Sequence, residues 1–92
     1  MLTLISYDVV IDKRRTQVMK YLLGYGSRVQ YSVFECDLTA EQFATVQRDI
    51  ARLIDAQTDS VRCYRLDTGA IKQIRILGRG QVTTLPPYYL VG

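Results

Sequence analysis

The chain has 92 residues, of which 48% are hydrophobic and 23% are charged, with two prolines and six glycines. This length predicts a single domain, and the composition excludes a disordered or low-complexity chain. The longest apolar runs are only a few residues, so no membrane span is expected. The sequence contains no histidine, which excludes a Ser-His-Asp triad, a Cys-His pair and the common histidine-ligated zinc sites.

The formal net charge of +3 is unevenly distributed along the chain. Residues 39–60 carry a net negative charge, whereas residues 61–92 are strongly basic. Most of the basic residues are arginine, whose planar guanidinium suits phosphate, so the charge pattern favours a polyanionic partner. An ordinary solvated surface explains the same composition. The two cysteines, Cys36 and Cys63, form no disulfide framework and fit a reducing, cytoplasmic location.

The first half of the chain predicts a strand, a helix and two further strands. Residues 2–9 are β-branched and apolar, which is typical of a buried strand. Asp12 is expected to cap a helix that ends at the glycines following it. A β-rich stretch then predicts a strand that ends at Gln30 and, after a tight break, a strand over residues 33–38.

The second half begins with a helix-capping pattern. Thr39 and Gln42 stand at the spacing of a capping box, and the helix after them has one apolar stripe. Residues 60–66 alternate as a half-buried strand, and residues 71–77 are expected to form another strand. Residues 81–85 add one more short strand to the prediction.

This order predicts an α+β, ferredoxin-like βαββαβ fold with extra C-terminal strands and two helices on one face of an antiparallel sheet. Residues 1–77 would form the domain. The other sheet face has no helix to cover it, which favours a homodimer. We expect the apolar segment 78–92 to pair with a second protomer or another partner, with a tail folded over its own chain as the alternative.

Asp8 is the first candidate functional residue, because it lies at the end of the first predicted strand. A lone aspartate there is often a turn or capping residue. It also suits Mg²⁺, which commonly takes one or two protein carboxylates and completes its shell with water and phosphate oxygens. Two copies of Asp8 near a dimer axis would form such a site, with phosphodiester hydrolysis as the reaction. Tyr7 faces the opposite side of the strand and is expected in the core or an interface.

Arg14 and Arg15 are predicted in the first turn of the first helix. The helix dipole disfavours positive charge there by roughly 0.3–1 kcal/mol each. A phosphate bound at this end would reverse that effect, although Asp12 and solvent could equally offset the charge. Arg28 adds a third guanidinium. Together with Asp8 these residues are compatible with a nuclease and do not single one out.

Four motifs together resemble the CRISPR-associated Cas-two (Cas2) family, the small subunit of CRISPR spacer acquisition. They are Tyr7-Asp8-Val9, the basic pair Arg14-Arg15, the stretch RVQYSVFEC over residues 28–36, and SVR followed by Tyr64. The resemblance extends from residue 1 to about residue 77.

The resemblance implies a ferredoxin-like homodimer that is flanked by dimers of the Cas-one (Cas1) integrase and holds a short DNA duplex. In some members it implies Mg²⁺-dependent endonuclease activity on single-stranded RNA or double-stranded DNA, with Asp8 as the catalytic metal ligand. The basic and aromatic residues that the family places around this site fall on Tyr7, Arg14, Arg15, Arg28 and Phe34.

Two roles therefore stay open, and we favour the first. The protein would be a scaffold that binds duplex DNA by its phosphates and bridges the integrase, or an endonuclease that uses Asp8. An RNA-binding module of the RRM type shares the element order, but the sequence lacks an RNP1-like run. A toxin-type ribonuclease of the same fold is a further alternative.

Overall fold

A computed structural model describes residues 1–80 of the chain. Its elements are β1 (Leu2–Asp8), α1 (Asp12–Leu23), β2 (Gly26–Gln30), β3 (Val33–Asp37), α2 (Ala40–Leu53), β4 (Ser60–Leu66) and α3 (Thr68–Lys72). The strand predicted over residues 81–85 and the apolar tail lie outside the described residues, so the pairing of segment 78–92 stays a prediction. No helix within residues 1–80 has the length and apolar character needed to cross a membrane.

The four strands form one antiparallel sheet in the order β2-β3-β1-β4. The most apolar strand, β1, takes a central position between β3 and β4. The helices α1 and α2 pack on one side of this sheet, so the predicted α+β, ferredoxin-like βαββαβ order is confirmed.

The core lies between the sheet and the two long helices. Strand alternation directs Ile5, Phe34 and Cys36 to the helix side, where they are fully buried. They pack against a stripe on α1 that includes Val18 and Leu22, and against the corresponding stripe on α2. Burial of side chains of this size contributes about 1.5–3 kcal/mol each.

Neither α1 nor α2 covers the opposite face of the sheet. Leu4 and Ser6 of β1 point to this open face and are only half-buried. Tyr64, which lies opposite Leu4 on β4, is 47% exposed. A sheet face with apolar and aromatic side chains so placed suits a partner surface.

The helix α2 begins with the predicted capping box. The Thr39 hydroxyl accepts a hydrogen bond from the Gln42 backbone at 3.1 Å, and the Gln42 side chain accepts one from the Thr39 backbone at 2.9 Å. These two bonds satisfy backbone N–H groups that have no partner within the helix. The prediction is confirmed. It could be made from the sequence because both hydrogen bonds join residues within one four-residue segment.

The predicted cap of α1 is wrong. Ile11 occupies the N-cap position without a side-chain hydrogen bond, and Asp12 is the first helical residue. The Asp12 carboxylate forms an ion pair with Arg15, one turn further along the same helix. That pairing replaces the backbone cap that the sequence pattern suggested.

The strand predicted over residues 71–77 is also wrong. The short helix α3 ends within this range, at Lys72, and residues 73–80 form neither helix nor strand. The Asp67 carboxylate accepts a hydrogen bond from the Ala70 backbone at 2.8 Å and so starts a helical turn. Ile71 and Ile74, three residues apart, are both half-buried, which is the spacing of a helix rather than a strand.

Candidate functional site

Asp8 lies at the exposed end of β1, opposite Ser60 of β4. Strand alternation directs its side chain away from the helix side that Tyr7 faces, toward the open face of the sheet. Within residues 1–80, no ion pair engages its carboxylate. The same residues contain no group of three or more potential metal ligands, and Asp8 offers one hard carboxylate donor.

A cleft of about 290 Å³ opens beside α1, at the same end of the sheet as Asp8. Its walls come from the end of β1, the first two turns of α1 and the β2–β3 hairpin. The lining residues are Tyr7, Asp12, Arg15, Thr16, Met19, Arg28 and Tyr31. The cleft therefore combines two guanidinium groups with two tyrosine rings, and Asp8 and Arg14 are not part of its lining.

Arg15 is held firmly at one wall of the cleft. Its guanidinium donates hydrogen bonds to the carbonyl oxygens of Val9 at 3.1 Å and Val10 at 3.2 Å, and it forms the ion pair with Asp12. The pKa of Arg15 is raised, chiefly by hydrogen bonding to the Tyr31 side chain and secondarily by Asp12. The charge of Arg15 is thus fixed in place before any ligand arrives.

The opposite wall is formed by the β2–β3 hairpin. The Nε of Arg28 donates to the Tyr31 carbonyl oxygen at 3.0 Å, and the same guanidinium lies 4.9 Å from the centre of the Tyr31 ring. The Tyr7 hydroxyl donates to the same carbonyl at 3.5 Å. One backbone oxygen therefore positions two side chains of the cleft.

Tyr7 lines the cleft and stacks on Phe34, which lies in the core and is not part of the lining. Both side chains are buried, and their ring centres are 6.3 Å apart in a stacked arrangement. Burial raises the pKa of Tyr7, while the charge of Arg28 opposes that shift. The prediction that Tyr7 is a core residue is confirmed. Phe34 faces Arg28 across the β2–β3 pairing and supports it from within the core.

Arg14 points away from the cleft and binds Asp59, in the loop before β4. Its Nε lies 3.0 Å from one Asp59 oxygen, and a second nitrogen lies 3.4 Å from the other. The Asp59 side chain is fully buried and also accepts hydrogen bonds from the backbone of Val10 and Asp55, each at 2.9 Å. The Arg14 hydrogen bond and these two N–H groups hold the pKa of Asp59 well below its usual range.

Arg14 and Arg15, two of the three cations in the first turn of α1, therefore each have a carboxylate partner, Asp59 for Arg14 and Asp12 for Arg15. Asp12 offsets the unfavourable interaction with the helix dipole for Arg15, as the alternative interpretation of the sequence proposed. For Arg14 this is done by Asp59, which that interpretation did not include. The charge at this position does not by itself require a bound phosphate.

Sequence reasoning missed two residues of this region. Asp59 is separated from Arg14 by 45 residues, and nothing local in the sequence marks the pair. Tyr31 was interpreted only as part of a tight break between strands. An aromatic residue at a hairpin turn, where polar residues are usual, was the available signal.

The family model for CRISPR associated protein Cas2 matches residues 1–74. The chain belongs to the Cas2 family. It is 53% identical over 91 residues to the CRISPR-associated endoribonuclease Cas2 3 of Chloroflexus aurantiacus, a match that covers 99% of this chain and 98% of that protein. The resemblance of the four motifs to this family is thereby confirmed.

Solved structures of Cas2 proteins share the fold. The crystal structure of Streptococcus pyogenes Cas2 at pH 6.5 has a TM-score of 0.74 and 37% identity, covering 85% of this chain and all of that one. A chain of a partial Cas6-RT-Cas1–Cas2 complex has a TM-score of 0.74 and 31% identity, covering 83% of this chain and 89% of that one.

Proposed function

We propose that this Cas2-family chain is a cytoplasmic homodimeric scaffold of CRISPR spacer acquisition, which binds duplex DNA by its phosphates and bridges Cas1 integrase dimers. The similarity to a chain of a Cas1–Cas2 complex supports the adaptor role. The observation that carries the DNA-binding part is the cleft that places Arg15 and Arg28 on facing walls.

The phosphate contacts are assigned chiefly to Arg15 and Arg28. Guanidinium groups bind phosphate through paired N–H donors, and backbone contacts of this kind do not depend on base sequence. Arg15 is already oriented by two backbone carbonyls, so little side-chain entropy is lost on binding. Arg14 has 24% of its side chain exposed and would add a flanking contact, partly neutralised by Asp59.

The open sheet face supports the homodimer. Two copies packed through this face would cover Leu4, Val33 and Tyr64 of each chain and place both cleft regions on one assembly. A two-fold dimer then offers matched arginine clusters to the two strands of a duplex.

A second candidate function is Mg²⁺-dependent endonuclease activity, favoured by the exposed Asp8 and by the endoribonuclease name of the Chloroflexus relative. The carboxylate suits Mg²⁺ as a donor, and the proposed site takes one Asp8 from each protomer. The ion would acidify a water molecule and offset charge on the phosphate. Arg15 and Arg28 would hold the phosphodiester at the same end of the sheet.

The salt dependence of DNA binding tests the scaffold proposal. Each lost phosphate contact lowers the slope of log K against log salt by about 0.9 for a duplex. Arg15→Gln and Arg28→Gln should each weaken binding to duplexes of any sequence and flatten this slope. Arg48→Gln on the exposed surface of α2 is the matched control and should leave both unchanged. An unchanged slope in both cleft variants would contradict the proposal.

Cleavage assays decide the second candidate. Asp8→Asn should abolish Mg²⁺-dependent cleavage of single-stranded RNA or double-stranded DNA, while Glu41→Gln on exposed α2 should retain it. Equal cleavage by the wild type and Asp8→Asn rules out the enzyme. The RNA substrate also tests the ribonuclease alternative. Loss of spacer acquisition in cells that carry Asp8→Asn would contradict a scaffold-only role.

A further inference from the structure

Tyr31 is the most exposed aromatic residue among residues 1–80, with 68% of its surface accessible to solvent. It lies at the turn between β2 and β3, on the rim of the cleft that contains Arg15 and Arg28. An exposed ring of this size at a hairpin turn contributes little to the core, so the fold alone does not account for it.

The ring is nevertheless held in place. The Arg28 guanidinium lies over it at 4.9 Å, and Arg15 lines the same cleft from the side of α1. The Tyr31 backbone is fixed by hydrogen bonds from Arg28 and from the Tyr7 hydroxyl to its carbonyl oxygen. The side chain is therefore ordered and exposed at the same time, which is the state that an aromatic binding platform needs.

We propose that Tyr31 stacks against an unpaired nucleobase of a single-stranded nucleic acid while Arg15 and Arg28 hold the neighbouring phosphate. This inference rests on the proposed function only in taking a nucleic acid as the ligand. Tyrosine rings flanked by guanidinium groups bind single strands by stacking and charge, without selecting a sequence.

The geometry favours an unpaired base over a paired one. Arg28 lies over one face of the Tyr31 ring, and with 68% of the residue exposed the ring still offers surface to a ligand. Bases inside a duplex have both faces stacked on their neighbours, so they present only their edges to a protein. The Tyr31 ring at the rim of the cleft can therefore stack only on a base that is unpaired and turned out of its strand.

The test compares two single-stranded oligonucleotides that carry the same phosphates. One contains 2-aminopurine at its central position, and the other has an abasic site at that same position. Removing one stacked base contact costs between about 5-fold and about 150-fold in affinity. Tyr31→Ala should lose this much affinity for the base-containing strand and keep its affinity for the abasic strand. Tyr31→Phe should bind both strands within about 3-fold of the wild type, since stacking requires only the ring.

Tyr31→Ala keeps the backbone carbonyl to which Arg28 and Tyr7 donate, so the cleft should keep its shape. Leu23→Ala, at an exposed residue of α1 that does not line the cleft, is the control and should leave 2-aminopurine quenching unchanged. Quenching should occur with the wild type and Tyr31→Phe and disappear with Tyr31→Ala.

Three results would overturn the inference. Equal losses on both strands would show that Tyr31 acts only through the phosphate contacts of Arg28, and the proposed function would stand. Undiminished quenching with Tyr31→Ala would show that the base does not stack on Tyr31. If the wild type binds neither strand nor a duplex at low salt, the proposed function fails together with this inference.

Discussion

Substituting alanine at two neighbouring glycines should have opposite effects, and Gly26 is the position where a side chain cannot fit. A Cβ at Gly26 would overlap the Glu35 carbonyl oxygen and would lie 2.6 Å from the Cys36 sulfur and 2.8 Å from the Cys36 Cα. Two of these three neighbours are backbone atoms of β3, so they cannot turn aside. Strand β2 would have to move away from β3.

The matched control is Gly24, two residues earlier. Its φ of −73° is allowed for any residue, and a Cβ there would meet only the Tyr21 carbonyl, at 3.4 Å. Gly24→Ala should therefore change the free energy of unfolding by no more than about 1 kcal/mol, in the stabilising direction, because it restricts the unfolded chain. Gly26→Ala should destabilise by at least about 1–3 kcal/mol, the usual cost of overpacking.

Urea denaturation followed by circular dichroism, at one fixed protein concentration, measures both variants. A domain of this size has a total stability of about 5–15 kcal/mol, and 1 kcal/mol corresponds to about 4–8 °C in the melting temperature. Arg28 lies two residues beyond Gly26, on the same face of β2, so Gly26→Ala should also weaken phosphate binding. Equal stability of the two variants would refute the close approach of β2 to β3.

Two further predictions concern titratable groups. Because the folded-state pKa of Asp59 is depressed, the stabilisation by its ionised form is complete above the unfolded-state value of about 3.9 and is lost as the pH falls below it. The stability difference between the wild type and Asp59→Asn should shrink from about pH 5 to about pH 2 in urea titrations, and a constant difference would contradict the ionic role. Burial raises the pKa of Cys36 to about 11, and the side chain is fully buried, so alkylation in native buffer should reach the half-buried Cys63 first. Peptide mass spectrometry gives the order, and faster labelling of Cys36 would show that the core opens there.

Features fixed by neighbouring residues could be predicted from the sequence. The capping box of Thr39 and Gln42 and the apolar stripe of α2 need only local spacing. β-branched runs and one alternating stretch predicted the four strands, and the order of strands and helices along the chain predicted the α+β, ferredoxin-like arrangement. The strand over residues 71–77 was predicted wrongly because isoleucines favour strands, while one side-chain bond from Asp67 started a helix instead.

The site was less predictable, because its geometry comes from contacts between distant residues. Asp8 and Arg15 were placed correctly at the end of β1 and the start of α1. The partner of Arg14 could not be found from sequence, since Asp59 lies in a different loop. The cleft itself depends on the distance between the β2–β3 hairpin and α1. The spacing of apolar residues along the sequence contains no information about that distance.

The buried carboxylate of Asp59 joins two loops that are far apart in the sequence. It binds the backbone of Val10, two residues before α1, and the backbone of Asp55, two residues after α2. Insertions or substitutions within residues 56–58 should therefore shift Asp59. Through Val10, that shift would move the backbone carbonyls that orient Arg15. A change in the length of this turn therefore also changes the cleft that contains Arg15 and Arg28.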